Sequence, residues 1–321
     1  MKINYKPDVV VIGELNVDII LNHISQFPEI GKEILADRLD VTLGSSSAIF
    51  ASNLNTLGTS VAFIGKIGND SFGNVVLDSL KSKGVNISRI IKSETYNTGA
   101  TIVLNYEQDR AMITYPGAMN DFCSDDIDME FLFSARHVHF SSIFLQPGIR
   151  NSLSGVFRKA KSKGLTTSLD PQWDPAEKWE INMEELLPNV DLFLPNLTEF
   201  KFITKTSNLN EGFEKIRKIA PDLTLILKDG ANGAFVWKAG SLIHQPAFLN
   251  TSVVDCIGAG DSFNAGFIHD FIQGKTIEQC LKTGAITGAV STTRAGGTAA
   301  FSKIEDVEKI AYALFGQHIS I

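Results

Sequence analysis

The stretch Asp255-Cys-Ile-Gly258-Ala259-Gly260-Asp261-Ser-Phe-Asn-Ala-Gly266 sets a carboxylate directly after a glycine-rich turn. The apolar pair Val253-Val254 reads as a strand end before that turn, and Gly258–Gln273 reads as a helix after it. Three successive amides, those of Gly258, Ala259 and Gly260, would then point outward at a helix start. Free N–H groups and the positive end of the helix dipole attract a phosphoryl anion there. Asp261 falls in the first turn, where the same dipole keeps it ionised. It is placed to accept a hydroxyl proton while the amides hold developing negative charge. A plain helix start whose glycines serve only the turn fits the same residues. On this segment alone both readings stand.

The elements that must position such a site are written in the rest of the chain. Val9–Ile12, Val61–Ile64, His137–Phe140, Thr166–Leu169, Asp191–Leu194 and Leu223–Leu227 read as buried strands. Helical patterns such as Phe72–Lys83, Ile149–Lys163 and Glu211–Ile219 lie between them, and Ile277–Thr293 follows the glycine-rich helix. That rhythm predicts an α/β fold with a largely parallel sheet covered on both faces. Two stretches, Asp18–Leu43 and Gly99–Ile113, alternate apolar and polar residues instead. They predict a small antiparallel sheet with one wet face, turning at Glu107-Gln-Asp-Arg110 and covering a cleft as a lid. The 321 residues are 44% hydrophobic and 20% charged, enough to bury a large core. A net charge of -7 argues against nucleic-acid binding, which needs a basic face. No apolar run has the length of a membrane span. Val9–Ile12, flanked by Asp8, Glu14 and Asp18, reads as a strand and not as a signal peptide. The three cysteines, Cys123, Cys256 and Cys280, form no close pair, which predicts reduced thiols and a cytoplasmic protein.

The segment ending at Asp261 resembles the second signature of the ribokinase-like, pfkB-family carbohydrate kinases, a pattern close to D-T-x-G-A-G-D-x-F-x-x-G. The resemblance runs over essentially the whole chain, with further motifs in the family's order. It implies one ribokinase-like domain over 1–321: a three-layer α/β sandwich with a small β lid from about 16–43 and 98–115. Gly13-Glu-Leu-Asn16-Val-Asp18 looks like the family's first strand end, whose Asn and Asp hold sugar hydroxyls. A carboxylate accepting two hydroxyl hydrogens is strong, directional polyol recognition. Gly44-Ser45-Ser-Ser-Ala-Ile49, followed by Gly68-Asn-Asp70-Ser-Phe72-Gly73, is similar to the first signature, G-G-x-x-x-N and then G-x-D-x-F-G. Ser45 stands where many members have the second Gly, and Ile49 where they have Asn, so one sugar contact of ribokinase-like members is absent. Asn196-Leu-Thr-Glu199 resembles the N-x-x-E motif. Its side chains share one face of a first helical turn, suited to holding waters around the Mg2+ of a nucleotide, although a helix capping box has the same spacing. Lys228-Asp-Gly230-Ala-Asn-Gly233 looks like the loop that lines the ATP site, and alone it is a plain hairpin. Thr293-Arg-Ala-Gly296-Gly297 matches a loop that, with carbonyls near Asp255 and Ile257, binds a monovalent cation such as K+ in some members.

The implied function is an ATP- and Mg2+-dependent phosphotransferase acting on a hydroxyl of a sugar, with Asp261 as base. Two alternatives are a nucleoside kinase of the same fold and a sugar- or nucleotide-binding protein that has lost catalysis. Lys32, Arg38 and Arg110 are the lid cations available to a phosphorylated acceptor. Asp18 would repel one, so the expected acceptor is neutral, a free sugar before a nucleoside. Lids of this family often pair between subunits, which implies a homodimer. Two signals are set aside: His137 and His139 share a strand face without a third metal ligand nearby, and Gly274-Lys275-Thr276 reads as a turn between helices.

Overall fold

Val9-Val-Val-Ile12 is a continuous β-branched run, and all four side chains are fully buried. Successive residues of a strand point to opposite faces, so such a run is stable only where both faces are covered. Val9 and Val11 enter one core with Phe50, Phe63 and Phe267, while Val10 and Ile12 enter another with Phe140, Phe157 and Phe200. The computed structural model describes residues 6–106, 109–238 and 240–319. In chain order its strands are β1 (Val9–Ile12), β2 (Asn16–Asn22), β3 (Arg38–Leu43), β4 (Val61–Gly68), β5 (Asn86–Ser93), β6 (Gly99–Tyr106) and β7 (Asp109–Tyr115). They continue with β8 (His137–Ser141), β9 (Thr166–Asp170), β10 (Leu192–Phe193), β11 (Thr224–Lys228), β12 (Ala234–Lys238) and β13 (Ser241–Gln245).

The main sheet runs β13-β12-β11-β10-β9-β8-β1-β4-β5. Every pair from β11 to β5 is parallel, and β12 and β13 extend it antiparallel. Helices Ser46–Thr56, Ser71–Ser82, Ala259–Ile272, Ile277–Ser291 and Ile304–Phe315 pack on one face. Leu153–Ser162, Leu197–Thr204 and Leu209–Ile219 pack on the other. The helix over Ile149–Lys163 is broken at Asn151-Ser152 into Pro147–Arg150 and Leu153–Ser162. Ala259–Ile272 and Ile277–Ser291 lie so close that a Cβ on Gly266 would collide with Thr287 Oγ1 and stand 2.9 Å from the Thr283 carbonyl. That contact fixes the helix that begins at the glycine-rich turn. The turn between these helices is Gly274-Lys275-Thr276, whose Lys275 Nζ pairs with Asp270 Oδ1 at 2.8 Å. His137 and His139 are core residues hydrogen-bonded to Thr166 and Ser168, with burial holding both neutral.

A second sheet, β3-β2-β6-β7, forms the lid. The alternating stretches are strands, but the sheet is mixed, because β2 pairs with β6 in parallel. The cause is topological: β1 and β5 leave the parallel sheet at the same edge, so the strands that follow them run the same way. The alternating stretch Asp18–Leu43 carries two strands, β2 and β3, joined by a connection, and Glu107 and Gln108 of the expected turn lie outside the described residues. Arg110 lies within β7. Register gives the lid two unlike faces. One row across the strands is Thr42, Asp18, Thr101 and Thr114; the row behind it is Val41, Ile19, Ile102 and Ile113.

Candidate active site

The C-terminal ends of β1, β8, β9 and β11 open on one crevice, the place where parallel α/β sheets bind ligands. Gly44 follows β3 and sits against Asn16 and Asp18 of β2. A Cβ there would collide with Asp18 Oδ1 and stand 2.8 Å from Asn16 Nδ2. Asn16 Nδ2 donates to Asp18 Oδ1 at 3.2 Å and to Thr101 Oγ1 at 3.0 Å. Burial raises the Asp18 carboxyl to about 6, against the opposing pull of Asn16 and the Arg110 charge. The next residue, Ser45, takes φ +68, a left-handed conformation that favours glycine. Its hydroxyl holds it there by donating to the Glu14 carbonyl at 2.6 Å and accepting from Ala48 N at 2.9 Å. Ser46 then begins the helix, and its hydroxyl donates to Asp261 Oδ1. Three residues therefore join the polar row of the lid to the carboxylate beside the glycine-rich turn.

That turn departs from expectation in two ways. Val253 and Val254 form no strand and are more than half exposed; Val254 N bonds only to the Thr292 carbonyl. Among the described residues no strand pairs with Val253-Val254. Gly258, at φ +71, is the N-cap of Ala259–Ile272, and the first helical bond is Ser262 N to Gly258 O at 2.8 Å. The Ala259 amide turns back to the Cys256 carbonyl at 3.3 Å, so it is not one of three outward amides. Gly258 has no room for a side chain, because a Cβ would meet Gly297 Cα at 2.7 Å and Ile49 Cγ2 at 3.0 Å. Asp255 ties this loop down, accepting from Ile257 N and Gly296 N at 2.9 Å each. Ile49 thus packs on the turn as an apolar wall.

Asp261 is buried, and its carboxyl is raised to about 7. Burial is the main cause and the nearby Asp170 charge adds to it; the Ser46 hydrogen bond and Lys228 oppose them. Asp170, at the end of β9, has no exposed side-chain surface and pairs with Lys228 Nζ at 2.6 Å. Asn264 Nδ2 donates to the same Asp170 oxygen at 2.5 Å, and Lys228 Nζ reaches Asn264 Oδ1 at 3.3 Å. Lys228 lies beside the glycine-rich turn, 3.7 Å from where a Cβ of Gly260 would be. It ends β11; Gly230 and Gly233 form the turn into β12, and a Cβ on Gly233 would clash with the Gln245 carbonyl.

Asn196 and Glu199 form a complete capping box on Leu197–Thr204, with Glu199 Oε2 accepting from Asn196 N at 2.9 Å and Oε1 from Asn196 Nδ2 at 2.6 Å. Burial, with the Asp170 charge, pushes the Glu199 carboxyl up. Asp70 caps Ser71–Ser82 and also accepts from Thr98 N at 2.7 Å, which fixes the chain just before lid strand β6.

Four further side chains belong to this site although their motifs or spacing did not single them out. Glu14 is buried and takes hydrogen bonds from Ser47 N (3.1 Å), Ser47 Oγ (2.5 Å) and Ser142 Oγ (3.0 Å). The others are Ser46, Asp170 and Gln172. Asp170 had a readable signal, a carboxylate before proline at the end of a buried strand. Ser46 and Gln172 had none.

A model of the pfkB family of carbohydrate kinases matches residues 6–304. An uncharacterised sugar kinase of Archaeoglobus fulgidus is 29% identical over 236 residues, 74% of this chain and 92% of that protein. The ribokinase of Arabidopsis thaliana, solved with ribose and ATP, superposes with a TM-score of 0.82 at 25% identity, covering 96% of this chain and 99% of that one. A protein assigned as ribokinase II from E. coli, solved with ATP and Mg2+, gives a TM-score of 0.83 at 22% identity over 96% and 99%. The architecture, the order of the motifs and the match along the whole chain agree: the chain belongs to the pfkB family of carbohydrate kinases, phosphotransferases that act on a sugar hydroxyl.

Proposed function

We propose that this kinase transfers the γ-phosphoryl group of ATP to a hydroxyl of a neutral, unphosphorylated free sugar. The observation that carries the reading is the segment Gly44–Ser46, whose first residue abuts Asp18 and whose last donates to Asp261. Asp18 and Asn16 hold acceptor hydroxyls at one end of it. At the other end, Asp261 takes the proton as the acceptor oxygen attacks phosphorus. The helix start, through the Gly258 and Gly260 amides without that of Ala259, and the Lys228 ammonium face the phosphoryl group and offset its charge. Mg2+ supplies charge neutralisation on the nucleotide phosphates. Among the described residues no group of three His, Cys, Asp or Glu forms a direct metal site. Asn196, Glu199 and Asp170 suit an ion held through its own waters and the phosphates. Lid closure keeps water, a competing acceptor, away from the phosphorus.

The charge balance supports a neutral acceptor. Glu14, Asp18, Asp170, Glu199 and Asp261 are the site's carboxylates. Of the cations, Lys228 is already paired with Asp170, and the Arg110 charge acts on Asp18. An additional dianion beside Asp18 would be costly. A second reading, a nucleoside acceptor, is favoured by one feature. A cavity of about 690 Å3 lies beside the polar row of the lid, lined by Met112, Thr114, Phe144, Arg150, Trp173 and Lys178 among others. Thr114 shares a 3.0 Å hydrogen bond with Thr101, so this space adjoins the Asn16–Asp18 pair and has room for a group beyond a sugar ring.

The same lid supports a homodimer. In the row behind the polar one, Val41, Ile102 and Ile113 are 43%, 40% and 65% exposed, apolar surface that a second copy would cover. Light scattering at micromolar concentration should return twice the chain mass; a monomer would contradict this. Asp261→Asn should leave the fold and ATP binding intact and lower turnover by about 10²–10⁴-fold, the span of general-base loss. Retention of more than about a tenth of the parent rate would remove Asp261 from that role. Finally, ADP release measured across free pentoses and hexoses, nucleosides and sugar phosphates should give the highest kcat/KM with a neutral sugar, and chelating the divalent ion should stop it. A nucleoside as best acceptor would favour the second reading. A sugar phosphate as best acceptor would overturn both, and absence of any ATP turnover would mark a binding protein.

A further inference from the structure

Gln172 occupies an unusual place. It follows β9 and Pro171 with φ +59, a left-handed conformation unfavourable for any residue that carries a side chain. Its amide Nε2 lies 3.0 Å from Asp170 Oδ2 and 3.0 Å from Asp261 Oδ1, so it donates to both carboxylates at once. Ser46 Oγ donates to the same Asp261 oxygen. Among the described residues no donor reaches Asp261 Oδ2. One oxygen is therefore pinned from two sides, by the loop after β9 and by the start of Ser46–Thr56, and the other is left for an incoming hydroxyl.

We infer that Gln172 and Ser46 are positioning residues that clamp Asp261 Oδ1 and aim Oδ2 at the acceptor, and that the strained backbone at Gln172 is retained for this purpose. The inference rests on Asp261 being the base, and it explains how two carboxylates as close as Asp170 and Asp261 coexist. A single NH2 group shared between them offsets repulsion that neither could relieve alone. The charged groups facing Asp261 are Asp170 at the end of β9, Lys228 at the end of β11 and Glu14 after β1. Of these only Lys228 is cationic, and it is bound to Asp170. The two neutral donors thus stabilise the ionised base without adding charge to the pocket.

The geometry offers an unusually clean test. Glycine adopts φ near +60° freely, so Gln172→Gly removes the amide while relieving the backbone. The melting temperature should stay equal or rise. With MgATP and the neutral sugar turned over best by the parent, kcat should fall on the order of ten-fold, the effect of losing one hydrogen bond to a charged group. The KM for ATP should stay within about two-fold, because no phosphate contact is touched. Loss of a donor to the carboxylate raises its pKa, so the acid limb of kcat/KM should move to higher pH. Ser46→Ala should shift the limb in the same direction. Placed on top of Asp261→Asn, Gln172→Gly should cost less than about two-fold more, since the clamp then has no base to aim. An unmoved acid limb with parental kcat, or a lowered melting temperature alone, would show that Gln172 only shapes its loop and would overturn the inference. Should Asp261→Asn itself leave kcat intact, the base assignment fails first, and the clamp falls with it.

Discussion

The buried pair between Lys228 and Asp170 is the constraint on which this site depends. The Lys228 side chain is 12% exposed and the Asp170 side chain not at all. Removing one partner of such a pair leaves an unpaired buried charge and costs about 3–5 kcal/mol. The pair also sets the electrostatics of its neighbours. Asp170 raises the carboxyls of both Asp261 and Glu199, and Lys228 draws both back down. Asn264, from the helix that begins at the glycine-rich turn, donates to Asp170, so this turn, β9 and β11 meet at one buried centre. A phosphoryl group arriving beside Gly260 would meet an ammonium already oriented by its carboxylate partner.

The fold supplies the remaining order at little cost. Parallel strands deliver Glu14, Asp170, Asn196 and Lys228 to the same edge, and chain continuity carries β1 and β5 straight into lid strands β2 and β6. Lid and glycine-rich turn therefore share a frame, and Gly44–Ser46 spans the gap between them. Ser45 shows how tightly that span is fitted. A serine holds the left-handed conformation that glycine would adopt readily, because its hydroxyl both caps a helix and anchors on the Glu14 carbonyl.

Much of this was legible from residue types and spacing. The strand–helix rhythm gave the parallel sheet, since buried β-branched runs such as Val9–Ile12 have few other uses. The glycine-rich turn was legible as a helix start, and Gly258 caps the helix Ala259–Ile272. Three features were not legible. The parallel pairing of β2 with β6 depends on where distant strands leave the main sheet, which no local pattern encodes. Val253-Val254 is apolar enough for a strand, but among the described residues no strand pairs with it. Gln172 and Ser46 act through single hydrogen bonds across 89 and 215 residues of sequence, and a lone polar residue carries no periodicity by which to find them. Asn196 and Glu199 show the opposite limit, because one spacing serves both a helix cap and a metal-bound water, and here the cap is fully formed.

Burial and the Asp170 charge raise the Asp261 carboxyl to about 7, where it can accept a proton near neutral pH. Site-resolved carbon-13 NMR of the aspartate carboxyls, assigned by comparison with Asp261→Asn, tests it without any acceptor. The account predicts that Asp261 titrates at about 7 in the free enzyme, so that the base form grows as pH rises through neutrality. A titration near the ordinary aspartate value of about 4 would contradict it, for the carboxylate would then be neither desolvated nor under the influence of its neighbour.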